Sequence, residues 1–249
     1  MRLRRVVGSV LAIVLAVVAG AVAPTPAYAI VDGVLAGKIR GQVPFFTKDP
    51  NSTKFAFTCT GTLISPHWVL TARHCITLTG ATAENSYIEA GSRDIGTGIR
   101  IRTSSFHNHP TLDISLLRLT QDAPIQNVVG YAREIGTLPV NATVAISGWG
   151  RWDPFEGAST MLRICSVRVA DNLMHTDRTG PGANAIKMVD INNGWPWSGD
   201  SGAGIHYGNR IYGVYSHGSS TEFFAVAIGT ESTVNWIIST SGVQPTLNP

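Results

Sequence analysis

The stretch CTGTLISPHWVLTARHC, residues 59–75, combines a β-rich run with a histidine and a cysteine at its end. Two later stretches carry matching chemistry: DISLLRL begins at Asp113, and SGDSGAG has Ser201 at its centre. Each is weak alone, because a structural histidine, a capping aspartate and a loop serine are all common. Together they provide the groups that acyl transfer requires: a serine nucleophile, an adjacent base and a carboxylate that orients the base.

Short β-rich runs recur along the rest of the chain. Runs such as ISLLRL, ATVAISGW and RIYGVYS alternate with breaks such as SPH, GSRDIGTG and GNR. Many short strands with glycine-containing turns favour a sandwich or barrel over alternating strands and helices. Residues 232–240, STVNWIIST, have the polar start and apolar spacing of a short terminal helix. Residues 172–200 are polar and rich in Gly and Asn, which favours a long loop.

The first 29 residues have the layout of a secretory signal. Arg2, Arg4 and Arg5 precede an apolar run at 6–23, and small residues ending at Ala29 form a cleavage site. A permanent anchor is the alternative, but that run is at the short end of what spans a bilayer and needs no cleavage site. We therefore expect a secreted, extracellular protein that leaves the membrane after signal cleavage.

Removal of residues 1–29 also removes the excess positive charge. The signal holds three arginines and no acid, so Lys and Arg fall from 19 to 16 (19 − 3), equal to the 16 Asp and Glu. A neutral chain gives no argument for a nucleic-acid partner. The remaining residues 30–249 are enough for one all-β domain, or two small ones, with a sizeable core.

Three cysteines remain: Cys59, Cys75 and Cys165. An exported protein meets an oxidising compartment in which disulfides persist, and an odd number allows at most one intramolecular pair. Cys165 lies in the strand-like run MLRICSVRV, where we expect a buried, unpaired thiol. An intermolecular disulfide or a reactive thiol is the alternative for this residue.

Several motifs in a fixed order resemble those of secreted trypsin/chymotrypsin-type serine proteases. The resemblance covers essentially all of residues 30–249. It is carried by LTARHC at 70–75, DISLL at 113–117, SGWG at 147–150, GDSGA at 199–203, SHG at 216–218 and VNW at 234–236. It implies an all-β fold of two packed six-stranded antiparallel barrels with a short C-terminal helix. The barrel halves would occupy roughly residues 30–135 and 136–249.

The resemblance implies a serine endopeptidase that works through an acyl-enzyme. Ser201 would attack the scissile carbonyl, and His74 would take its proton and pass it to the leaving amine. Asp113 would hold the imidazole tautomer and stabilise the imidazolium. The backbone N–H groups of Gly199 and Ser201 would form the oxyanion hole, where negative charge develops.

Two further pairings follow from the same resemblance. Cys59 and Cys75 would form the disulfide beside the histidine. A cut after residue 29 would leave Ile30 as the new amino terminus, and its ammonium would pair with the buried carboxylate of Asp200. Because the export machinery would make that cut, we expect secretion and activation to be one event.

The substrate-binding set implied by the resemblance departs from the family pattern. It comprises Trp195, Ser198, Ser216, His217 and Gly218, with the main chain of Ser216 and Gly218 pairing with an extended substrate. Trp195 stands where trypsins have the aspartate at the base of the specificity pocket. We therefore expect a protease that is not trypsin-specific, and a small or short apolar residue before the cut.

Other departures from the family pattern favour an alternative function, in which the protein binds without efficient cleavage. Trp197 replaces half of a family disulfide, Ala203 replaces a glycine and Arg73 replaces a small residue. Trp195, Trp197 and Ala203 favour the alternative of a weak or inactive protease-fold protein that binds through an obstructed pocket. An esterase on another fold is disfavoured, because the G-x-S-x-G elbow lacks its last glycine and no acid followed by a histidine comes after Ser201.

We expect no cofactor and no metal. The pair His107-x-His109 has no third ligand nearby, and zinc sites need at least three protein ligands. The Glu-rich calcium loop of some relatives has no counterpart between Tyr87 and Arg102. The expected partners are a polypeptide substrate and, as a second class, a proteinaceous inhibitor, and we expect a monomer.

Overall fold

The structure is a computed structural model that describes residues 30–48, 52–153 and 157–246. The predicted signal peptide, residues 1–29, lies outside the described residues. The described part folds into two antiparallel β-barrels, with little helix. No helix within it has both the length and the apolar character needed to cross a membrane.

The first barrel closes in the strand order β2-β3-β4-β7-β6-β5. Its antiparallel strands are β2 (Gln42–Thr47), β3 (Ala56–Ser65), β4 (Trp68–Thr71), β5 (Ser86–Ala90), β6 (Ile99–Asn108) and β7 (Ser115–Leu119). In β6 the buried Ile101 and Thr103 alternate with the exposed Arg100 and Arg102. This period of two puts the apolar side chains inside and the charges in solvent.

The second barrel is also a closed ring of six antiparallel strands. Its strands are β9 (Thr143–Gly148), β10 (Arg163–Thr176), β11 (Ala183–Asp190), β12 (Gly204–Tyr207), β13 (Arg210–Gly218) and β14 (Glu222–Ala227). Pairing of β9 with β10, for example Ile146 with Cys165, closes the ring. The short strands β1 (Val34–Leu35) and β8 (Gly130–Tyr131) add to β10 and β13. The predicted fold class is thereby confirmed.

Two helices and two 3-10 turns complete the described structure. Helix α1 is a single turn, His74–Thr77, and helix α2 runs over Glu231–Ser241 as predicted from its sequence. Gly242 ends α2 in the left-handed conformation, with φ of 73° and its N–H donated to the carbonyl of Ile238. The 3-10 turns are Ile125–Asn127 and Ile135–Thr137.

The loop expected at residues 172–200 is only partly a loop. β10 continues to Thr176 and β11 fills Ala183–Asp190, so a long twisted hairpin occupies much of the stretch. Within it Ala185, Ile186 and Met188 are fully buried, and the last two belong to the core of the second barrel. Register shifts between β10 and β11 break the regular alternation that would have identified the strands.

Candidate active site

The junction of the two barrels brings together a histidine and an aspartate from the first barrel. His74 begins α1 directly after β4, and the disulfide between Cys59 and Cys75 ties this turn to β3, as expected. The ring Nδ1 of His74 lies 2.8 Å from Oδ2 of Asp113, and the His74 backbone N–H donates to Oδ1 at 2.9 Å. The carboxylate thus fixes both the main chain and the ring of His74.

A third donor reaches the same carboxylate from the second barrel. The hydroxyl of Ser216 donates to Oδ2 of Asp113 at 2.6 Å. Burial raises the pKa of the Asp113 carboxyl, but the hydrogen bonds and positive charge of His74, with the Ser216 hydroxyl, outweigh it. The pKa therefore lies below its ordinary value, and the group is ionised at neutral pH.

Ser201 lies in the same cleft, on the turn before β12. Its backbone is held across the junction, since its carbonyl accepts the Thr60 N–H at 3.0 Å. The next residue, Gly202, donates its N–H to the Tyr215 carbonyl at 2.8 Å. The Ser201 hydroxyl donates to the carbonyl of Ser216 at 3.4 Å in this structure.

The turn before Ser201 depends on a glycine with positive φ. Gly199 has φ of +99°, and a Cβ there would lie 2.8 Å from both Gly150 Cα and the Phe57 ring. Its carbonyl points inward and accepts the Thr60 hydroxyl at 3.1 Å. Among the described residues, no acceptor is found for the N–H groups of Gly199 and Ser201. Neither N–H group is therefore used in a hydrogen bond within the described part of the chain.

Asp200 points away from the cleft and is fully buried. Its carboxylate accepts the backbone N–H groups of Gly150 and Trp197, each at 2.9 Å. Burial nevertheless raises the pKa of this carboxyl to about 7, against the lowering effect of those two hydrogen bonds. A buried carboxylate with no cation beside it is costly.

The segment that begins at Ile30 pairs with the residues that precede Asp200 in the sequence. The Trp195 N–H donates to the Val31 carbonyl at 3.0 Å, and the Ile30 side chain is fully buried in the second barrel's core. Ile30 and Asp200, the two residues of the expected ion pair, are both fully buried.

The cleft has a volume of about 460 Å³. Its lining includes most of the predicted site and two residues that no sequence motif indicated, Arg178 and Tyr215. The lining residues are His74, Asp113, Arg178, Trp197, Ser198, Ser201, Tyr215, Ser216, His217 and Gly218. Arg178 was missed because it falls in the stretch that favoured a loop, and Tyr215 because it reads as an ordinary strand residue beside the SHG motif.

Trp195, which was expected at the base of the specificity pocket, is not among the lining residues of this cleft. Its backbone pairs with Val31, and its half-buried side chain packs against the core of the second barrel. Trp197, two residues further on, lines the cleft instead. The indole that lines this cleft is therefore that of Trp197 and not that of Trp195.

One group of possible metal ligands occurs among the described residues, and it does not fit a metal. It consists of Cys59, His74 and Cys75. The two cysteines are joined in the disulfide, so neither sulfur is a thiolate that can bind a cation.

Comparison with solved structures gives the fold class. Mouse neuropsin, described as a serine protease expressed in the limbic system of the brain, superposes with a TM-score of 0.69 at 22% identity. The match covers 85% of this chain and 99% of neuropsin. At that identity the likeness establishes the fold, which is chymotrypsin-like.

Comparison of sequences gives the family. The family model named Trypsin matches residues 36–237. Serine protease SP24D of Anopheles gambiae is 32% identical over 171 residues, covering 64% of this chain and 62% of that protein. Brachyurin of Leptuca pugilator is 28% identical over 208 residues, covering 76% and 90%. An uncharacterized peptidase of Corynebacterium glutamicum is 27% identical over 181 residues, covering 72% and 59%.

This chain belongs to the trypsin/chymotrypsin family of serine proteases. It spans about three fifths of the length of SP24D and of the Corynebacterium peptidase.

Proposed function

We propose that the chain is a serine endopeptidase that cleaves polypeptides through an acyl-enzyme on Ser201. The proposal rests on one observation: Asp113 contacts both the backbone N–H and the ring Nδ1 of His74, in the cleft that also contains Ser201. The carboxylate contact makes Nδ1 the protonated ring nitrogen, so Nε2 presents its lone pair to the cleft. A base oriented in this way is what a serine nucleophile requires.

Catalysis begins when the Ser201 hydroxyl turns from the Ser216 carbonyl toward Nε2 of His74. The oxygen attacks the scissile carbonyl while His74 takes the proton, and the imidazolium is stabilised by ionised Asp113. His74 then protonates the leaving amine, and water attacks the acyl-enzyme with the same residue acting as base. The free N–H groups of Gly199 and Ser201 receive the oxyanion, and each such donor contributes about 10²–10³ in rate.

Activation follows from the burial of Asp200. Once the bond before Ile30 is cut, the new α-ammonium supplies the cation that this carboxylate lacks. The ion pair then stabilises the Gly199–Ser201 turn in the conformation that presents both N–H groups. The signal peptidase makes that cut in our proposal, so the protein is secreted, extracellular and active from release.

Specificity differs from that of a trypsin because the cleft offers no free carboxylate. Asp113 is the one acid among its described lining residues, and its two oxygens are occupied by His74 and Ser216. Trp197 and Tyr215 add bulk, and the Tyr215 hydroxyl contacts the Pro196 carbonyl at 3.4 Å across the interior. These features favour a small or short apolar residue before the cut.

The second candidate function is binding without efficient cleavage. It rests on Trp197 and Tyr215, two large side chains that line the cleft where a substrate side chain has to enter. Such a protein would hold a polypeptide segment and turn it over slowly. A proteinaceous inhibitor that mimics the substrate is a partner for either function, and the chain acts as a monomer in both.

A phosphonylating reagent separates the two candidates, because it reacts only with an activated serine. The protein recovered from the medium of secreting cells is labelled, and the adduct is located by mass spectrometry. We expect one adduct, on Ser201, that is lost in His74→Ala. His67→Ala is the control, since His67 forms an exposed pair with Asp122 at 2.9 Å outside the cleft. Folded protein that takes no label contradicts the endopeptidase function.

A further inference from the structure

Arg178 introduces a cation into a cleft whose other charges are paired. It lies in the β10–β11 hairpin of the second barrel and lines the cleft together with His74 and Ser201. Among the described residues, none of the ion pairs within 4.0 Å involves Arg178. The cleft therefore presents one unneutralised guanidinium to whatever enters it.

The guanidinium is held in place by an aromatic ring. Its Cζ lies 5.1 Å from the centroid of Phe224, and the His217 ring stacks on the same side chain with centroids 5.4 Å apart. A guanidinium stacked on a ring keeps its in-plane N–H groups available for a ligand. Burial and then the charge of Arg178 lower the pKa of His217, which favours the neutral imidazole beside the guanidinium.

The hairpin that carries Arg178 is fixed against the Asp113 loop. The next residue, Thr179, is fully buried, and its carbonyl accepts the Asp113 N–H at 2.9 Å. Gly180 has φ of +126°, and a Cβ there would overlap the main chain of Thr111 and Leu112. These contacts fix the main chain next to Arg178 beside the Asp113 loop, and the guanidinium lies over Phe224, the ring on which His217 stacks.

We propose that Arg178 selects an acidic side chain in the substrate, on the amino-terminal side of the scissile bond. This rests on the proposed function and on the pairing of an extended substrate with the main chain of Ser216 and Gly218 that the resemblance implies. A strand advances about 3.3 Å per residue. A chain whose reacting carbonyl lies at Ser201 therefore passes His217 within a few residues. The selected position is the second, third or fourth residue before the cut.

Matched peptides test the proposal. A neutral cleavable peptide is compared with versions carrying Glu or Gln at each of the three positions, and kcat/KM is measured on the full chain secreted from cells. The same peptides are bound to Ser201→Ala, which gives Kd without cleavage. We expect Glu to be favoured over Gln about fivefold at one position, as for a partly exposed ion pair. The preference shrinks between about 0.05 M and about 1 M salt because the pair is screened.

Two Arg178 variants and a control identify the residue responsible. In Arg178→Gln the Glu/Gln ratio falls to about one, and in Arg178→Glu it falls below one and Lys becomes favoured. Arg118→Gln, an exposed arginine in β7 that does not line the cleft, keeps the wild-type ratio. A ratio of one at every position, or a ratio that survives in Arg178→Gln, overturns the proposal. Failure to cleave any peptide overturns the proposed function instead, and the Kd comparison then decides the role of Arg178.

Discussion

Asp113 contacts His74 through both of its carboxylate oxygens: Oδ2 lies 2.8 Å from ring Nδ1, and Oδ1 accepts the backbone N–H at 2.9 Å. One carboxylate thus sets the position of the turn and the tautomer of the ring. The Ser216 hydroxyl, which belongs to the second barrel, donates a hydrogen bond to Oδ2 of Asp113 at 2.6 Å. The proposed base is therefore positioned jointly by both barrels.

Asp113→Asn should lower kcat by about 10⁴ while leaving the fold intact. The amide keeps the shape of the carboxylate but favours the wrong tautomer and cannot stabilise the imidazolium. Asp122→Asn is the matched control, because Asp122 also contacts a histidine, His67, at 2.9 Å but is exposed. The measurement is peptide hydrolysis with circular dichroism of both variants. Equal activity of the two variants would argue against the role of Asp113.

One extra residue left before Ile30 should reduce activity by at least about 10², the loss expected when an oxyanion donor is misplaced. The extension removes the α-ammonium proposed to neutralise Asp200. The variant carries an added alanine before Ile30, and mass spectrometry verifies its amino terminus. Full activity in the extended protein would exclude this activation mechanism.

The same variant should show a distinct dependence of stability on pH. Without an ammonium, burial raises the pKa of Asp200 to about 7, above the unfolded value of 3.8. The folded state then binds more protons than the unfolded state between these values, so its stability falls as pH rises toward and through 7. The processed protein should show no such fall, because its ammonium stabilises the carboxylate. Melting temperatures of both forms between pH 5 and pH 8 check the difference.

Gly199→Ala should lower kcat by about 10² or more. Gly199 has φ of +99°, and an added Cβ would crowd Gly150 and Phe57, so the turn has to move its N–H groups. Gly208→Ala is the control: its φ of +61° is also positive, but nothing lies within 4 Å of the added Cβ. It should cost about 1 kcal/mol of stability with little change in kcat. Comparable kcat losses in both would point to backbone strain alone.

Replacing the disulfide cysteines, in Cys59→Ser with Cys75→Ser, should lower the free energy of unfolding by about 3 kcal/mol. The bond links residues 16 apart and ties α1 to β3. Reductant should destabilise the wild type and leave the double variant unchanged. Cys165→Ala provides the control, because Cys165 is free and buried, and this variant should remain sensitive to reductant. The measurement is denaturant unfolding with and without reductant.

The sequence predicted the features that depend on local motifs. The histidine, aspartate and serine stretches and the terminal helix are short runs that stand out in the sequence. The two-barrel fold and the disulfide beside His74 were implied by the resemblance of these motifs to those of trypsin/chymotrypsin-type proteases. The positions of residues outside these motifs were harder to predict from the sequence, because strand register and contacts between distant segments determine them.

Three residues illustrate that limit. Trp195 was expected in the pocket by counting back from Ser201, but its backbone pairs with Val31, its side chain packs against the core of the second barrel, and Trp197 lines the cleft. Arg178 lies in a polar stretch that was expected to be a loop. The register shifts between β10 and β11 break the alternation that would have indicated two paired strands. The Ser216 hydroxyl reaches Asp113 across 103 residues of sequence, a contact that no local pattern contains.

Cleavage of an unfolded protein tests the central claim most directly. Purified protein with Ile30 as its verified amino terminus is incubated with an unfolded substrate, and new termini are identified by mass spectrometry. Ser201→Ala purified in the same way is the control. The account predicts new termini with the wild type alone, mainly after small or short apolar residues and not after Lys or Arg. Folded wild-type protein that produces no new termini, or produces the same termini as Ser201→Ala, would contradict it.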